Sequence, residues 1–153
     1  MLFHSDEHRY QVLSRLSLIS LYILLACNSI IVVIGYFISK SRSISEPASP
    51  LPREILFILV IAEMIATYLV RFQMLKRVLK MGIDRPSLDD TILYKALLNI
   101  TITVAAMCSI IPVYGLILIF LGEKFEVLIL FAAISLIGYQ FFRLRPKDFE
   151  EKG

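Results

Sequence analysis

The sequence predicts an all-α fold: an integral membrane bundle of four transmembrane helices with both termini on the cytoplasmic side. Three observations lead there. Hydrophobic residues make up 58% of the 153-residue chain and its mean hydropathy is +0.75, more apolar than a water-facing surface allows. Four apolar runs, at about 16–38, 55–72, 93–121 and 126–142, approach or exceed the length needed to cross roughly 30 Å of hydrocarbon at about 1.5 Å per residue. The cations, finally, are divided unevenly between the two sides that these runs define.

The first run is interrupted only by Ser17, Ser20, Asn28 and Ser29. Leu24, Leu25, Ala26 and Cys27 inside it have the form of a lipobox, but the apolar run continues to Ile38, so an uncleaved anchor helix is expected. Ser39 to Pro52 reads SKSRSISEPASPLP, an exposed loop by its Ser and Pro content. The second run carries one acid, Glu63, and passes into the basic stretch Arg71 to Lys80. Gly82 is expected to end that helix, and Ser87 with Asp90 has the form of a capping box that starts the third near Leu88. The third run contains Pro112, which removes one backbone donor and crowds the carbonyl of Cys108, so a kink is expected, with Ser109 placed to satisfy that carbonyl. Gly122, Glu123 and Lys124 form a tight connection to the fourth run, after which the chain leaves the membrane as RLRPKDFEEKG. The chain reads as a single membrane domain, 1–153.

Orientation follows from the cations. Twelve of the sixteen Lys and Arg residues fall with the N-terminus, the loop between helices two and three, and the C-terminal tail; Lys40, Arg42, Arg53 and Lys124 fall on the other side. By the positive-inside rule the first group is cytoplasmic, and the expected location is the cytoplasmic (inner) membrane of a bacterial or archaeal cell. A net charge of +3, gathered beside apolar runs, fits anionic lipid headgroups and argues against nucleic acid. Cys27 and Cys108 sit in apolar runs and read as small fillers, without a disulfide framework or CxxC site. The chain has no Trp, so Tyr10, Tyr36, Tyr94, Tyr139, Phe141 and Phe142 are the candidates for interfacial anchors.

Few residues suggest chemistry. His4, Glu7 and His8 fit an H-x-x-E-H zinc pattern, but the chain has no other His and the segment reads as a solvated terminus. No metal, cofactor or catalytic group is expected. Glu63 is the most informative residue, because a carboxylate in mid-bilayer is costly and raises a functional question by default. Glu63, Asn28 and the pair Cys108 with Ser109 fall near the centres of their helices and are expected to share one polar layer. Two uses remain open for Glu63, Asn28 and Ser109: an ion or proton site, or structural glue in which neutral Glu63 donates a hydrogen bond to Asn28 or to the kink carbonyl. Ala62 with Ala66, Ala105 with Ser109, Asn28 with Gly35, and Ala132, Ser135 and Gly138 form small-residue faces for close helix packing, within the bundle or against other copies or subunits. RFQMLKRVLK places Phe72, Leu75, Val78 and Leu79 on one face, with Arg71, Lys76, Arg77 and Lys80 as headgroup contacts of an interfacial amphipathic helix.

Ala62 to Val70, AEMIATYLV, resembles the carboxylate-bearing helix of the rotary ATPase proteolipid (c-type) subunits, and Ile111 to Ile117, IPVYGLI, is similar to the tail of the same motif without its acid. Four spans in a chain of this length are also similar to the duplicated proteolipids. That resemblance implies an ion-carrying role for Glu63. The residues themselves lead first to a non-enzymatic subunit, scaffold or assembly factor of a larger membrane complex, and alternatively to a proteolipid-like ion- or proton-translocating subunit.

Overall fold

The computed structural model of the chain describes residues 6–41, 50–84 and 90–145. They form four helices: α1 (Asp6–Ser41), α2 (Pro50–Asp84), α3 (Asp90–Phe120) and α4 (Phe125–Phe142). Each is long and apolar enough to cross a membrane.

The helix ends depart from the sequence expectation in four places. α1 starts at Asp6, so the polar stretch ahead of the apolar run is helical from there on. His4 lies outside the described residues, and Glu7 and His8 are part of α1. The loop expected over Ser39–Pro52 is shorter at both ends. Pro50 and Pro52 stand in the first turn of α2, where a missing N–H breaks no helical bond and the fixed φ of proline suits the helix. Lys40 occupies the last turn of α1, where a cation favours the negative end of the helix dipole. Gly82 does not end α2, which runs on to Asp84; a glycine inside a helix costs only about 1 kcal/mol. Ser87 and Leu88 lie outside the described residues, and α3 is helical from Asp90.

The α3–α4 connection is a helix stop of well-defined geometry. Gly122 has φ 98°, a backbone conformation open to glycine at little cost. Its N–H donates to the Ile119 carbonyl at 3.0 Å, and the Glu123 N–H donates to Leu118 at 2.9 Å. These bonds satisfy carbonyls that the end of α3 would leave unpaired.

Cross-helix contacts give the topology. Asn28 meets Ser135, Ser20 meets Tyr139 and Gly35 faces Leu128, so α1 and α4 are antiparallel. Phe57 packs on Phe131 with ring centroids 5.0 Å apart, and Met64 lies over Gly138, so α2 and α4 are parallel. The bundle therefore runs up, down, up, down. α3 packs against all three other helices, whereas α1 and α2 make little contact with each other and flank the α3–α4 pair. Gly115 permits a close approach to the α4 backbone, since a Cβ there would lie 3.0 Å from both Leu128 Cα and Phe131 Cβ. One apolar cluster, including Leu16, Leu24, Leu97, Ile100, Val104 and Cys108, runs along α1 and α3 and takes in Leu75 and Val78 of α2. A second joins Leu56 and Val60 of α2 to Ile111, Leu118 and Phe131.

The stretch Arg71 to Lys80 is helical throughout, as the sequence suggests. It continues α2, and Leu75 and Val78 face the bundle core while Phe72 stays exposed.

Candidate functional site

The polar side chains inside the bundle gather at two levels. At mid-height the amide nitrogen of Asn28 donates to Ser135 Oγ at 3.4 Å, and the Ser135 hydroxyl donates to the Cys108 carbonyl at 2.7 Å. That carbonyl is the one Pro112 deprives of its helical donor. α1, α3 and α4 thus meet in one chain of hydrogen bonds, with Asn28 5% exposed and Ser135 fully buried. The Asn28 side-chain oxygen is buried and accepts no hydrogen bond from the described residues.

About two turns closer to the start of α1, Ser20 and Tyr139 share a hydrogen bond, and Tyr139 also donates to the Ser17 carbonyl at 3.2 Å. Tyr139 is fully buried, so it is a packed residue of the α1–α4 seam and not an interfacial anchor. Its hydroxyl finds both partners inside the bundle and has no need of the headgroup region.

Ser109 does not serve the proline-freed carbonyl. Its hydroxyl donates to the Ala105 carbonyl at 2.8 Å, one turn back in its own helix, as Thr67 does to Glu63 and Thr101 to Leu97. Ser135 takes the role instead. In the sequence Ser135 stands out only as a small residue; the signal for its role is a hydroxyl at mid-height of the span that follows the proline.

Glu63 falls on the packed seam of α2 with Leu56, Val60 and Thr67, and is half-buried. Its carboxyl lies within electrostatic reach of Cys108 and Tyr114 on α3. Cys108, Asn28 and Glu63 are therefore grouped about one stretch of α3. The bond from Glu63 to Asn28 or to the Cys108 carbonyl is not found among the described residues: Ser135 donates to that carbonyl, and α1 and α2 make little contact with each other and stand on opposite flanks of α3. Among the described residues no three His, Cys, Asp or Glu side chains gather as metal ligands.

The same contacts fix the level of the cations. Extending the α1–α4, α1–α3 and α2–α4 pairings places Arg15, Arg71, Lys95 and Arg143 toward the same end of the bundle, spread over about 8 Å of height. Arg145 lies there too, donating to the Gln140 carbonyl at the end of α4 at 2.9 Å. This collar is 13 residues from the polar layer along both α1 and α3, about 20 Å. Lys40, Arg53 and Lys124 lie at the opposite end. The polar layer is thus midway between two charged ends, and the span between them suits a bilayer of about 30 Å core plus headgroups.

Comparison of the chain with protein-family models, with curated proteins and with solved structures finds no significant match.

Proposed function

We propose that the protein is a non-enzymatic integral membrane protein of the cytoplasmic (inner) membrane, with both termini cytoplasmic, that serves as a subunit, scaffold or assembly factor of a larger membrane complex. The observation that carries this reading is the way the interior polar groups are used. Ser20, Tyr139, Asn28, Ser135 and the Cys108 carbonyl bond to one another across helices, while Ile58, Ile61, Ile65, Tyr68 and Leu69 leave α2 with a broad exposed apolar flank. Polar groups spent on helix–helix bonds hold a bundle together, and an apolar flank accommodates lipid or a neighbouring subunit. The orientation is supported by the collar and by the exposed Lys76, Arg77 and Lys80, all at the end shared by the described start of α1 and the end of α4. Cysteine-accessibility labelling of Ile83→Cys and Glu46→Cys tests it: residue 46 should react from outside, and reaction of residue 83 from outside would reverse the orientation.

A second reading, a proteolipid-like subunit that moves an ion or proton through Glu63, draws on the half-buried carboxyl near mid-height, within electrostatic reach of Cys108 and Tyr114. One pair of variants separates the two. For a scaffold, Glu63→Gln and Glu63→Leu both keep assembly of the complex, since the Glu63 side chain makes no cross-helix bond among the described residues. For an ion carrier, a hydrophobic carbodiimide labels Glu63 at a rate that changes with pH or cation, and Glu63→Gln assembles normally but loses function. That last outcome would sink the scaffold reading.

A further inference from the structure

α2 does not stop at the collar. It continues as one helix from Arg71 to Asp84, and Lys80 stands nine residues beyond Arg71, about 14 Å along the axis. Leu75 and Val78, 7% and 4% exposed, pin this extension into the core cluster that holds Leu16 and Leu97. Laying the extension flat on a membrane surface would unbury both. At about 100° per residue, Gln73, Lys76, Arg77 and Lys80 fall on the face opposite Leu75 and Val78, and all four are exposed. Between Arg71 and Lys80 the sequence has no acid, so this face carries one sign of charge. Phe72, 52% exposed, stands at its membrane-side edge, one turn from Lys76.

The height of these cations decides their partner. With Arg71 at headgroup level, Arg77 and Lys80 lie about 9 and 14 Å farther along the helix. Side chains of a helix lean in the same direction, so the spacing of the charged heads follows that of the backbone. The screening length at physiological ionic strength is about 8 Å, so headgroup charge is largely screened at Lys80.

We propose that Lys76, Arg77 and Lys80 form a docking face for an acidic segment of a partner protein on the side of the membrane that holds the collar, with Phe72 as its apolar edge. The cations would steer and orient the acidic segment, and an apolar side chain of the partner would cover Phe72. This inference rests on the membrane-embedded reading above.

The test uses the full chain in nanodiscs of neutral phosphatidylcholine and a short fluorescent peptide alternating Glu and Leu. Binding is expected to be saturable and salt-sensitive, weakened about tenfold by the K76E/R77E/K80E triple variant, as three exposed charge pairs warrant, and unchanged by Arg15→Gln in the collar. The triple variant should keep its helical circular dichroism, since all three side chains are exposed. Native mass spectrometry in mixed phosphatidylglycerol nanodiscs supplies the second arm, in which the triple variant should retain as much bound phosphatidylglycerol as the parent. Peptide binding equal to the parent's, or loss of phosphatidylglycerol in its place, would overturn the proposal and make the face a lipid site. Failure to enter the bilayer, or labelling of Ile83→Cys from the side opposite the collar's Arg143→Cys, would remove the membrane reading and the docking face together.

Discussion

α3 and α2 are both long apolar helices, yet 44% of the apolar span of α3 is buried within the bundle against 11% of that of α2. In water such a contrast would show in composition, with the less buried helix more polar. Here it does not, because α2 replaces a polar outer face with Ile58, Ile61, Ile65 and Leu69. Lipid is as apolar as leucine, so hydrophobicity cannot say which face packs. Small and hydrogen-bonding residues mark the interior instead: Gly115, Thr101 and Cys108 on α3, and Thr67 on α2.

That contrast can be broken by substitution. The largest effect is expected at Gly115→Ile, which drives a branched side chain into Leu128 Cα and Phe131 Cβ. Overpacking of this kind should cost about 3 kcal/mol, read as a fall in unfolding free energy in mixed micelles. Ser135→Ala is next: it leaves the Cys108 carbonyl and the Asn28 amide without their shared partner and should cost about 1–1.5 kcal/mol. Double substitution with Asn28→Leu should then cost less than the sum of the two, because the residues share one bond. Ser109→Ala removes only a bond within α3 and should cost about 0.5 kcal/mol or less. The smallest effect is expected at Ile61→Val on the exposed side of α2, within about 0.5 kcal/mol. A loss of complex assembly in that variant at unchanged stability would sharpen the comparison, making the α2 flank a face for protein as well as lipid.

The four helices were legible because runs of apolar residues are a one-dimensional signal, and so was the grouping of helix ends, which follows from an even number of crossings. The mid-height coincidence of Asn28 and Cys108 was also within reach, since depth can be counted from span ends. Azimuth cannot be counted that way. Whether Glu63 turns toward Asn28 depends on which helices are neighbours, and α1 and α2, consecutive in the chain, stand on opposite flanks of α3. Ser135 was missed for the same reason: its use is defined by a carbonyl 27 residues away. The ends of α2 went astray more simply. Pro50, Pro52 and Gly82 read as helix breakers in one dimension, whereas proline in a first turn is favourable and one glycine is tolerated within a helix whose Leu75 and Val78 are packed.

The brevity of α4 sets a ruler. Its 18 residues measure about 27 Å, and both ends are fixed, by the Gly122 turn at one and by the Arg145 bond to Gln140 at the other. α1, with 36 residues, can take up a thicker bilayer by sliding more of its length into lipid; α4 has no length in reserve. Hydrophobic mismatch would therefore fall on a single helix. In the proposed membrane setting each added ångström of hydrocarbon is met by local thinning around α4, at a fraction of a kcal/mol, so the protein should partition toward thinner membrane regions and lose stability steadily as acyl chains lengthen.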